Sequence, residues 1–330
     1  MERIKGIIGR DYLLMQVLQN KDFKGYLQIF IAGVLWGCIG PFIQLMEQHG
    51  SSFAFTSFLR MAFSFIILAV ITVTKFGFLS LRASKKTLLF CALLGLVCHG
   101  IYNVFYSIAV TLTGVTVSAV LMNTAPVFTT VFSYFWLREK ITWIKSAAMI
   151  VNITGCALAA TGGKFDVMLF SLIGVLCGIG SGFCYGMTAI LGKLAGEKSN
   201  AFVISTYSYL FAAVFLVIFM NPWEKAVPLN ASVLLLGFFY ALIPTAIAYL
   251  FYYQGLQKIT ESSKAPVIAS VEVVVAALIG VTIFREQVNM ANITGIFLVI
   301  GSIILMNHKT RHQISNDSSK DIGLLGAGRK

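Results

Sequence analysis

The stretch WLREKIT at residues 136–142 places Arg138, Glu139 and Lys140 side by side between two long apolar segments. A close echo, IFREQVN, follows at residues 283–289 and again sets an Arg-Glu pair between apolar segments. The chain is otherwise poor in charge, since 58% of its 330 residues are hydrophobic and 12% are charged. Soluble domains carry about 25% charged residues. Two matching charged turns in so apolar a chain indicate a membrane protein built from a repeated unit.

Ten apolar segments are long enough to cross a bilayer, because about 20 apolar residues span the hydrocarbon core as a helix. Every backbone N–H and C=O group in that core needs an internal partner, which favours helices, and the sequence lacks the short alternating segments of a β-barrel. We predict transmembrane helices at residues 26–46, 53–74, 87–110, 114–136, 141–161, 167–191, 201–220, 231–254, 265–284 and 288–306. The predicted fold class is an all-α integral membrane protein with ten transmembrane helices.

Both ends of the chain differ from this apolar body. Residues 1–25 combine basic residues with apolar residues at helical spacing, which predicts either an amphipathic helix on the cytoplasmic membrane surface or a mobile tail. Polar and acidic residues such as Asp11, Gln16 and Asp22 interrupt this segment, so it is not a cleavable signal peptide. Residues 307–330 are polar and are predicted to form a disordered cytoplasmic tail.

The basic residues predict the orientation of the chain. If the N-terminus is cytoplasmic, most of the 25 Lys and Arg residues fall on the cytoplasmic side. The outer loops then hold only Lys164, Lys225 and Arg285. Lys and Arg resist translocation, so this asymmetry predicts that both termini are cytoplasmic. The net charge of +12 therefore records membrane topology, and no nucleic-acid partner is needed to explain it.

The echo of the charged turn is part of a longer internal repeat, in which residues 114–142 align with residues 261–289. This offset aligns Val120 with Val267, Val127 with Val274, Arg138 with Arg285, and Glu139 with Glu286. A slightly larger offset places Trp36-Gly37 on Tyr185-Gly186. Both charged turns lie between the fourth and fifth spans of a five-span unit, and an odd number of spans inverts the second unit. The sequence thus predicts a 5+5 inverted-topology repeat, with units at residues 26–161 and 167–306.

Several motifs in this arrangement resemble a known family. They are LWG at residues 35–37, FLR at 58–60, NTAPVFTTVFSYFWLREKIT at 123–142 and SVEVVVAALIGVTIFREQV at 270–288. Their order and spacing resemble the drug/metabolite transporter superfamily in its EamA branch. The resemblance implies transport of small organic solutes through a central cavity. It also shows one departure: Val273 stands where the family has a proline, as Pro126 does in the fourth span, so we expect no helix distortion in the ninth.

Three ionisable residues lie well inside the predicted spans, where a charge costs about 2.5–3.5 kcal/mol on insertion scales. Glu272 is the only acid among them, which indicates a substrate or proton site, with a structural ion pair to Arg60 as the alternative. Arg60 lies near the outer end of its span and is assigned to packing or snorkelling. Histidine is the side chain whose unperturbed pKa lies near neutral pH, so His99 is a candidate for substrate binding and proton coupling, or else a structural hydrogen-bond donor.

Polar and aromatic side chains on single helix faces extend this candidate site. In span three, His99, Asn103 and Tyr106 share one face, and span eight carries several tyrosines. Aromatic walls with a few polar groups suit a small organic ligand, although aromatics also pack ordinary cores. The predicted substrate-binding residues are Glu272, His99, Asn103, Tyr106, Trp36, Asn123, Tyr185, Tyr249 and Tyr253.

The predicted function is a secondary-active transporter that moves a small organic metabolite, such as an amino acid, an amine or a related solute, by alternating access around a central cavity. The alternatives are an integral-membrane enzyme and a channel. The chain has no HExxH motif, no CxxC motif and no phosphate-binding Gly loop, so we predict no catalytic residues, no metal and no cofactor. The expected partners are the lipid bilayer and a small-molecule substrate, and the expected location is the cell (inner) membrane. The sequence leaves the oligomeric state open, and a monomer is compatible with it.

Overall fold

The computed structural model describes residues 21–164, 171–197, 199–220, 230–285 and 287–307. These residues are helical apart from short turns and contain no strand, which confirms the all-α class. Nine helical stretches among them are long and apolar enough to cross a membrane, and one further apolar helix, Ala125–Leu137, is shorter. Most of the predicted N-terminal segment, the C-terminal tail from residue 308 and Glu286 lie outside the described residues.

The helices are numbered here in chain order. They are α1 (Lys21–Trp36), α2 (Ile39–Gln48), α3 (Phe53–Phe76), α4 (Lys85–Leu93), α5 (Tyr102–Met122), α6 (Ala125–Leu137), α7 (Trp143–Thr161), α8 (Leu172–Gly196), α9 (Ala201–Met220), α10 (Ala231–Ala241), α11 (Ala248–Lys258), α12 (Ala265–Ala269), α13 (Val271–Thr282) and α14 (Met290–Asn307). Two π-helical segments, Leu94–Ile101 and Leu242–Ile247, join α4 to α5 and α10 to α11.

The boundary between the predicted third and fourth spans differs from the expectation. The two spans are continuous where a boundary was predicted, and the fourth span is broken in its middle. Helix α5 runs past the predicted boundary, and only Gly114, with φ +81° and ψ 161°, breaks its helical geometry. Glycine adopts such a φ without the steric cost that a side chain would bring. The predicted fourth span is then interrupted again at Asn123 and Thr124, so its second half is the short helix α6.

The backbone irregularities recur in both halves of the chain. Each π-helical segment lies in the third span of its predicted unit, at the offset that separates Arg138 from Arg285. These two arginines are the only residues other than glycine with a positive φ in the described part of the chain, and both have φ 55°. The backbone therefore supports the repeat that the two charged turns indicated.

The ninth predicted span contains a break, so the expectation of an undistorted helix was wrong. Helix α12 ends at Ala269 and α13 begins at Val271, which matches the break at Asn123 in the first unit. The Oγ of Ser270 donates to the Val267 carbonyl and accepts from Asn152 Nδ2 at 2.6 Å. Polar side chains of this kind offer the backbone an alternative to regular helical bonding. A buried serine and its asparagine partner thus accompany the break without a proline.

Helix packing pairs elements from the two units. Helix α1 packs against α11, α5 against α8, α3 against α9, and α7 against α14. Small residues permit the close approaches. A Cβ atom built on Gly182 of α8 would lie 2.5 Å from Thr124 Oγ1, and one on Gly295 of α14 would fall on the backbone of Ala159. Large apolar side chains such as Phe135 and Trp143 are exposed on the outside, as expected for contact with lipid.

Candidate functional site

A cluster of aromatic rings lies where α1, α8 and α11 meet. Trp36, the last residue of α1, has its ring centroid 4.8 Å from that of Tyr249, 5.0 Å from that of Tyr252 and 5.9 Å from that of Tyr185. Trp36 is 3% exposed, and its indole Nε1 is buried without a hydrogen-bond partner. Rings at such distances and tilts attract each other by about 0.5–1.5 kcal/mol per pair. The cluster therefore forms a well-packed aromatic wall, in which the indole N–H of Trp36 is a hydrogen-bond donor without an acceptor.

The aromatic walls follow the internal repeat. Tyr102 and Tyr106 of α5 align with Tyr249 and Tyr253 of α11 at the offset that relates the two charged turns. The ring centroids of each pair are 5.8 Å apart. Tyr102 also lies 6.3 Å from Tyr185, which is the counterpart of the contact between Tyr249 and Trp36. Tyr102 directly follows the first π-helical segment and Tyr249 lies two residues after the second, and such irregularities are frequent at functional sites.

His99 lies inside the first π-helical segment and is 1% exposed. Its imidazole centroid is 5.0 Å from that of Tyr249 and 5.1 Å from that of Tyr209, and Nε2 lies 3.4 Å from the Tyr253 hydroxyl. The ring is therefore packed against tyrosines of α9 and α11. The predicted roles in substrate binding and proton coupling, and the alternative of a structural donor, are all compatible with this position and stay predictions.

Asn103 and Arg60 form a polar cluster next to His99. The Asn103 amide donates to the His99 carbonyl, and its Oδ1 accepts from Ser57 Oγ at 3.1 Å and from Arg60 Nη2 at 3.4 Å. Arg60 Nη1 donates to the Tyr240 hydroxyl at 3.1 Å. These contacts tie α3, α5 and α10 together beside the aromatic cluster.

Glu272 lies in the first turn of α13, just after the helix break at Ser270. Its Oε1 atom is buried and has no hydrogen-bond partner. Tyr102, Tyr106 and Tyr185 lie within electrostatic range of the carboxylate, and no hydrogen bond joins any of them to it in the described residues. It forms no ion pair with Arg60, although both residues lie in the described part of the chain. The structure thus does not contain the ion pair that was the alternative explanation for Glu272.

The structure gathers most of the predicted site residues in one region. Trp36, Tyr185, Tyr249, Tyr253 and His99 are linked by direct ring or hydrogen-bond contacts. Asn103 donates to the His99 carbonyl, Tyr106 joins the cluster through its ring contact with Tyr102, and Glu272 lies within electrostatic range of Tyr185. The Asn123 amide instead donates to the Ala119 carbonyl of its own helix at 2.8 Å. No ring contact or side-chain hydrogen bond joins Asn123 to the cluster in the described residues, so its role in binding stays a prediction.

Other members of the cluster were absent from the predicted set. They are Ser57, Tyr102, Tyr209, Tyr240 and Tyr252. Tyr102 had a detectable signal, because the repeat aligns it with Tyr249. Tyr209 and Tyr240 had none, because each is one of several aromatic residues in its span and only helix packing brings it to the site.

Polar contacts cross-link one end of the bundle. The Glu139 carboxylate accepts from the backbone N–H groups of Ser262 and Ser263, at 2.6 and 3.1 Å, and from the Ser263 hydroxyl at 2.5 Å. Glu261 forms ion pairs with Lys145 at 2.7 Å and with Lys264 at 2.9 Å. Glu139 and Lys145 belong to the first unit and the other residues to the second, so these contacts hold the two units together.

The same end of the bundle is tied by further contacts to the loop after α11. Asp22 accepts from the Thr260 amide and hydroxyl at 2.9 Å, and Lys193 donates to the carbonyls of Leu256 and Ile259. Burial by itself would raise the pKa of Glu261, but hydrogen bonds and charges from Lys145 and Lys264 outweigh it and hold that pKa below its usual value. We call the contacts of Glu139, Lys145, Glu261, Lys264, Asp22 and Lys193 with residues 256–264 the polar seal.

Comparison with known proteins gives a consistent result in both halves of the chain. The model of the EamA-like transporter family matches residues 23–161 and again residues 172–308. An uncharacterized transporter of Clostridium kluyveri is 27% identical over 85% of this chain and 92% of its own length. An uncharacterized inner membrane transporter of Salmonella typhimurium, YicL, is 24% identical over 88% of this chain and 97% of its own length. A solved crystal structure with 16% identity shares the fold with a TM-score of 0.72, over 86% of this chain and 97% of its own.

Proposed function

Because this chain belongs to the EamA-like transporter family, which its two halves match in turn, we propose that it is a secondary-active transporter. It moves a small organic metabolite, such as an amino acid, an amine or a related solute, across the cell (inner) membrane. The Salmonella relative bears the name of an inner membrane transporter, which supports this location. The substrate binds at the cluster around Trp36, Tyr102, Tyr185 and Tyr249, and access to it alternates between the two sides.

The observation that carries this proposal is the unpaired, buried carboxylate oxygen of Glu272 beside an aromatic wall. An ionised group in a membrane-spanning segment is costly and usually serves a pathway or a partner. Since no cation of the described chain forms an ion pair with Glu272, its partner is either the cationic group of the substrate or a coupling proton. Buried donors at Trp36 and Tyr185 that also lack partners supply further contacts for a polar solute.

The membrane topology follows from the repeat. We place ten spans in two inverted units of five, with α6 as the second part of the fourth span and both termini in the cytoplasm. The equal φ of Arg138 and Arg285 and the matching π-helical segments support two units with the same internal structure. In this topology the polar seal lies on the cytoplasmic side.

The polar seal supports alternating access as the transport mechanism. It joins the two units at one end of the bundle through the half-buried Glu139 carboxylate and the ion pair between Lys145 and Glu261. For the site to open on that side, the contacts of Glu139 and Glu261 with the other unit must break. The structure then corresponds to a state that is closed toward the cytoplasm.

Reconstitution into proteoliposomes tests the function against its alternatives. A transporter gives saturable uptake of one or more metabolites from a library, with accelerated exchange when the same solute is present inside. An integral-membrane enzyme would instead release a chemically altered product, and a channel would pass ohmic current. Either result without saturable exchange would overturn the proposal.

A further inference from the structure

Arg60 is a buried cation whose hydrogen-bond partners are all neutral. It is 8% exposed, so it does not snorkel out of its span, whereas the expected role in packing is compatible with this burial. Nη1 donates to the Tyr240 hydroxyl and Nη2 to Asn103 Oδ1, and the guanidinium carbon lies 5.2 Å from the Tyr240 ring centroid. The Nε atom is buried and has no partner. The free N–H groups therefore include Nε–H, which forms one side of the fork that guanidinium offers to carboxylates.

The charge of Arg60 also lacks a counter-charge within the described chain. A buried charge without an opposite partner costs several kcal/mol, and neutral acceptors recover only part of that cost. The nearby groups with which Arg60 interacts electrostatically are the hydroxyls of Tyr102, Tyr209, Tyr240 and Tyr249. Two of these, Tyr102 and Tyr249, also interact with Glu272. Arg60 and Glu272 thus face the same tyrosines without forming an ion pair.

The packing of α3 against α9 does not by itself require an arginine at this position. The fold pairs α3 with α9, which occupies the equivalent place in the second unit. Helix α9 contains no Lys, Arg, Asp or Glu, so the second unit has no charged residue on the equivalent helix. Glu272 likewise aligns with the uncharged Ala125. The aromatic walls repeat between the units, whereas both charges break the repeat, which indicates that they serve the ligand and not the scaffold.

We propose that Arg60 binds an anionic group of the transported solute, namely a single carboxylate, with Tyr240 and Asn103 holding the guanidinium in place. A monoanion matches the one positive charge at this point, and the N–H fork of Arg60 matches the two oxygens of a carboxylate. Glu272 then faces the other part of the solute. This inference rests on the proposed transport function and adds the substrate class to it.

Binding of matched acids and amides to the full-length protein in nanodiscs tests the inference. The probes are leucine and leucinamide, 4-methylpentanoate and 4-methylpentanamide, and 3-phenylpropanoate and 3-phenylpropanamide. In the wild type we expect at least one acid to bind more than about tenfold tighter than its amide, since a charged hydrogen-bonded group is worth that much. In Arg60→Gln, the acid and its amide should bind within about threefold of each other, and Arg60→Lys should keep part of the preference.

Two further variants separate binding from structure. Arg82→Gln, at an exposed arginine outside the cluster, should keep the full preference for the acid. Tyr240→Phe removes only the hydroxyl that holds Nη1, so it should weaken binding of the acid more than that of the amide even if Arg60→Gln fails to fold.

The inference is overturned if no acid in the panel binds, or if a folded Arg60→Gln protein still prefers the acid. A failed Arg60→Gln variant together with an unchanged preference in Tyr240→Phe would also overturn it. The transport function is tested separately by proteoliposome exchange. If amides or amines are exchanged and acids are not, the protein remains a transporter and the assignment of Arg60 to a carboxylate is wrong.

Discussion

At the scale of single residues, Glu272 is the acidic group of the candidate site. Its position in the first turn of α13 puts a carboxylate at the positive end of a helix dipole, which favours a negative charge. Its buried oxygen has no partner, and three tyrosines lie within electrostatic range of it. A residue in this setting can hold a cation or exchange a proton.

The Glu272→Gln variant distinguishes these two roles because glutamine keeps the shape but cannot ionise. If Glu272 carries the coupling proton, the variant loses uphill transport and keeps counterflow exchange. If it binds the substrate, affinity falls about tenfold or more in both assays, as for loss of a charged hydrogen bond. Glu47→Gln, at an exposed acid, serves as control. Wild-type uptake, affinity and pH dependence in a folded Glu272→Gln protein would assign the residue a structural role.

At the scale of elements, the turn after α6 acts beyond its own helix pair. Arg138 adopts φ 55°, and the Glu139 side chain reaches the first residues of the segment that leads into α12. A carboxylate that accepts backbone N–H groups at a helix start satisfies donors that the helix itself cannot. The charged turn thus joins two units as well as two spans.

Replacing Glu139 by alanine should destabilise the protein by about 1–2 kcal/mol, because Ser262 and Ser263 lose the acceptor of their N–H groups. Thermal unfolding in detergent measures the loss of stability. The control variant Glu197→Ala, at an exposed acid, should change the stability little. We expect yield to fall more than substrate selectivity. A Glu139→Gln protein of normal abundance with altered substrate preference would contradict this structural role.

The contact between α7 and α14 gives a second prediction with a control in the same helix. Gly295→Ala should destabilise the protein by about 1–3 kcal/mol, since the added methyl group meets the backbone of Ala159. Gly301 has open space around its Cβ position, so Gly301→Ala should be neutral or stabilising by up to about 1 kcal/mol. Unfolding midpoints of both variants test the helix contact, and equal effects would refute it.

At the scale of the whole molecule, the polar seal makes stability depend on pH. The ion pairs hold the pKa of Glu261 below its usual value, so the folded state binds the proton more weakly than the unfolded state does. The contribution of Glu261 to the free energy of unfolding is present above the ordinary carboxyl pKa of about 4.3. It is lost as the pH falls through the lowered pKa of Glu261 in the folded state. The melting temperature should therefore drop below about pH 4.5, and Glu261→Gln should flatten that drop. An unchanged acid dependence in Glu261→Gln would contradict this assignment.

The topology is also a property of the whole molecule. In a cysteine-free background, His49→Cys should react with an impermeant thiol reagent from outside the cell, whereas Lys85→Cys should react only from inside. The expectation follows from the partition of basic residues between the two sides. Labelling of position 49 from the inside alone would refute both the topology and the inverted repeat.

Much of this architecture was predictable from the sequence, because a bilayer imposes simple local rules. Length and apolar content locate the spans, and the requirement for internal hydrogen bonds makes them helices. The repeated Arg-Glu turn indicated two units, which the family match in both halves supports. Glu272 and His99 were identifiable because ionisable residues are rare inside membrane spans, and the aromatic candidates because they share helix faces with polar residues.

Only the tertiary structure decided which of these residues meet. The sequence could not show that Trp36 contacts Tyr249, that Arg60 and Glu272 stay unpaired, or that Glu139 reaches Ser262. The break at Ser270 also went unforeseen, because it involves Asn152 from another helix. Such contacts depend on the rotation and crossing of helices that are distant in the chain. The periodicity of a single helix says which residues share a face, whereas packing against its neighbours determines what that face touches.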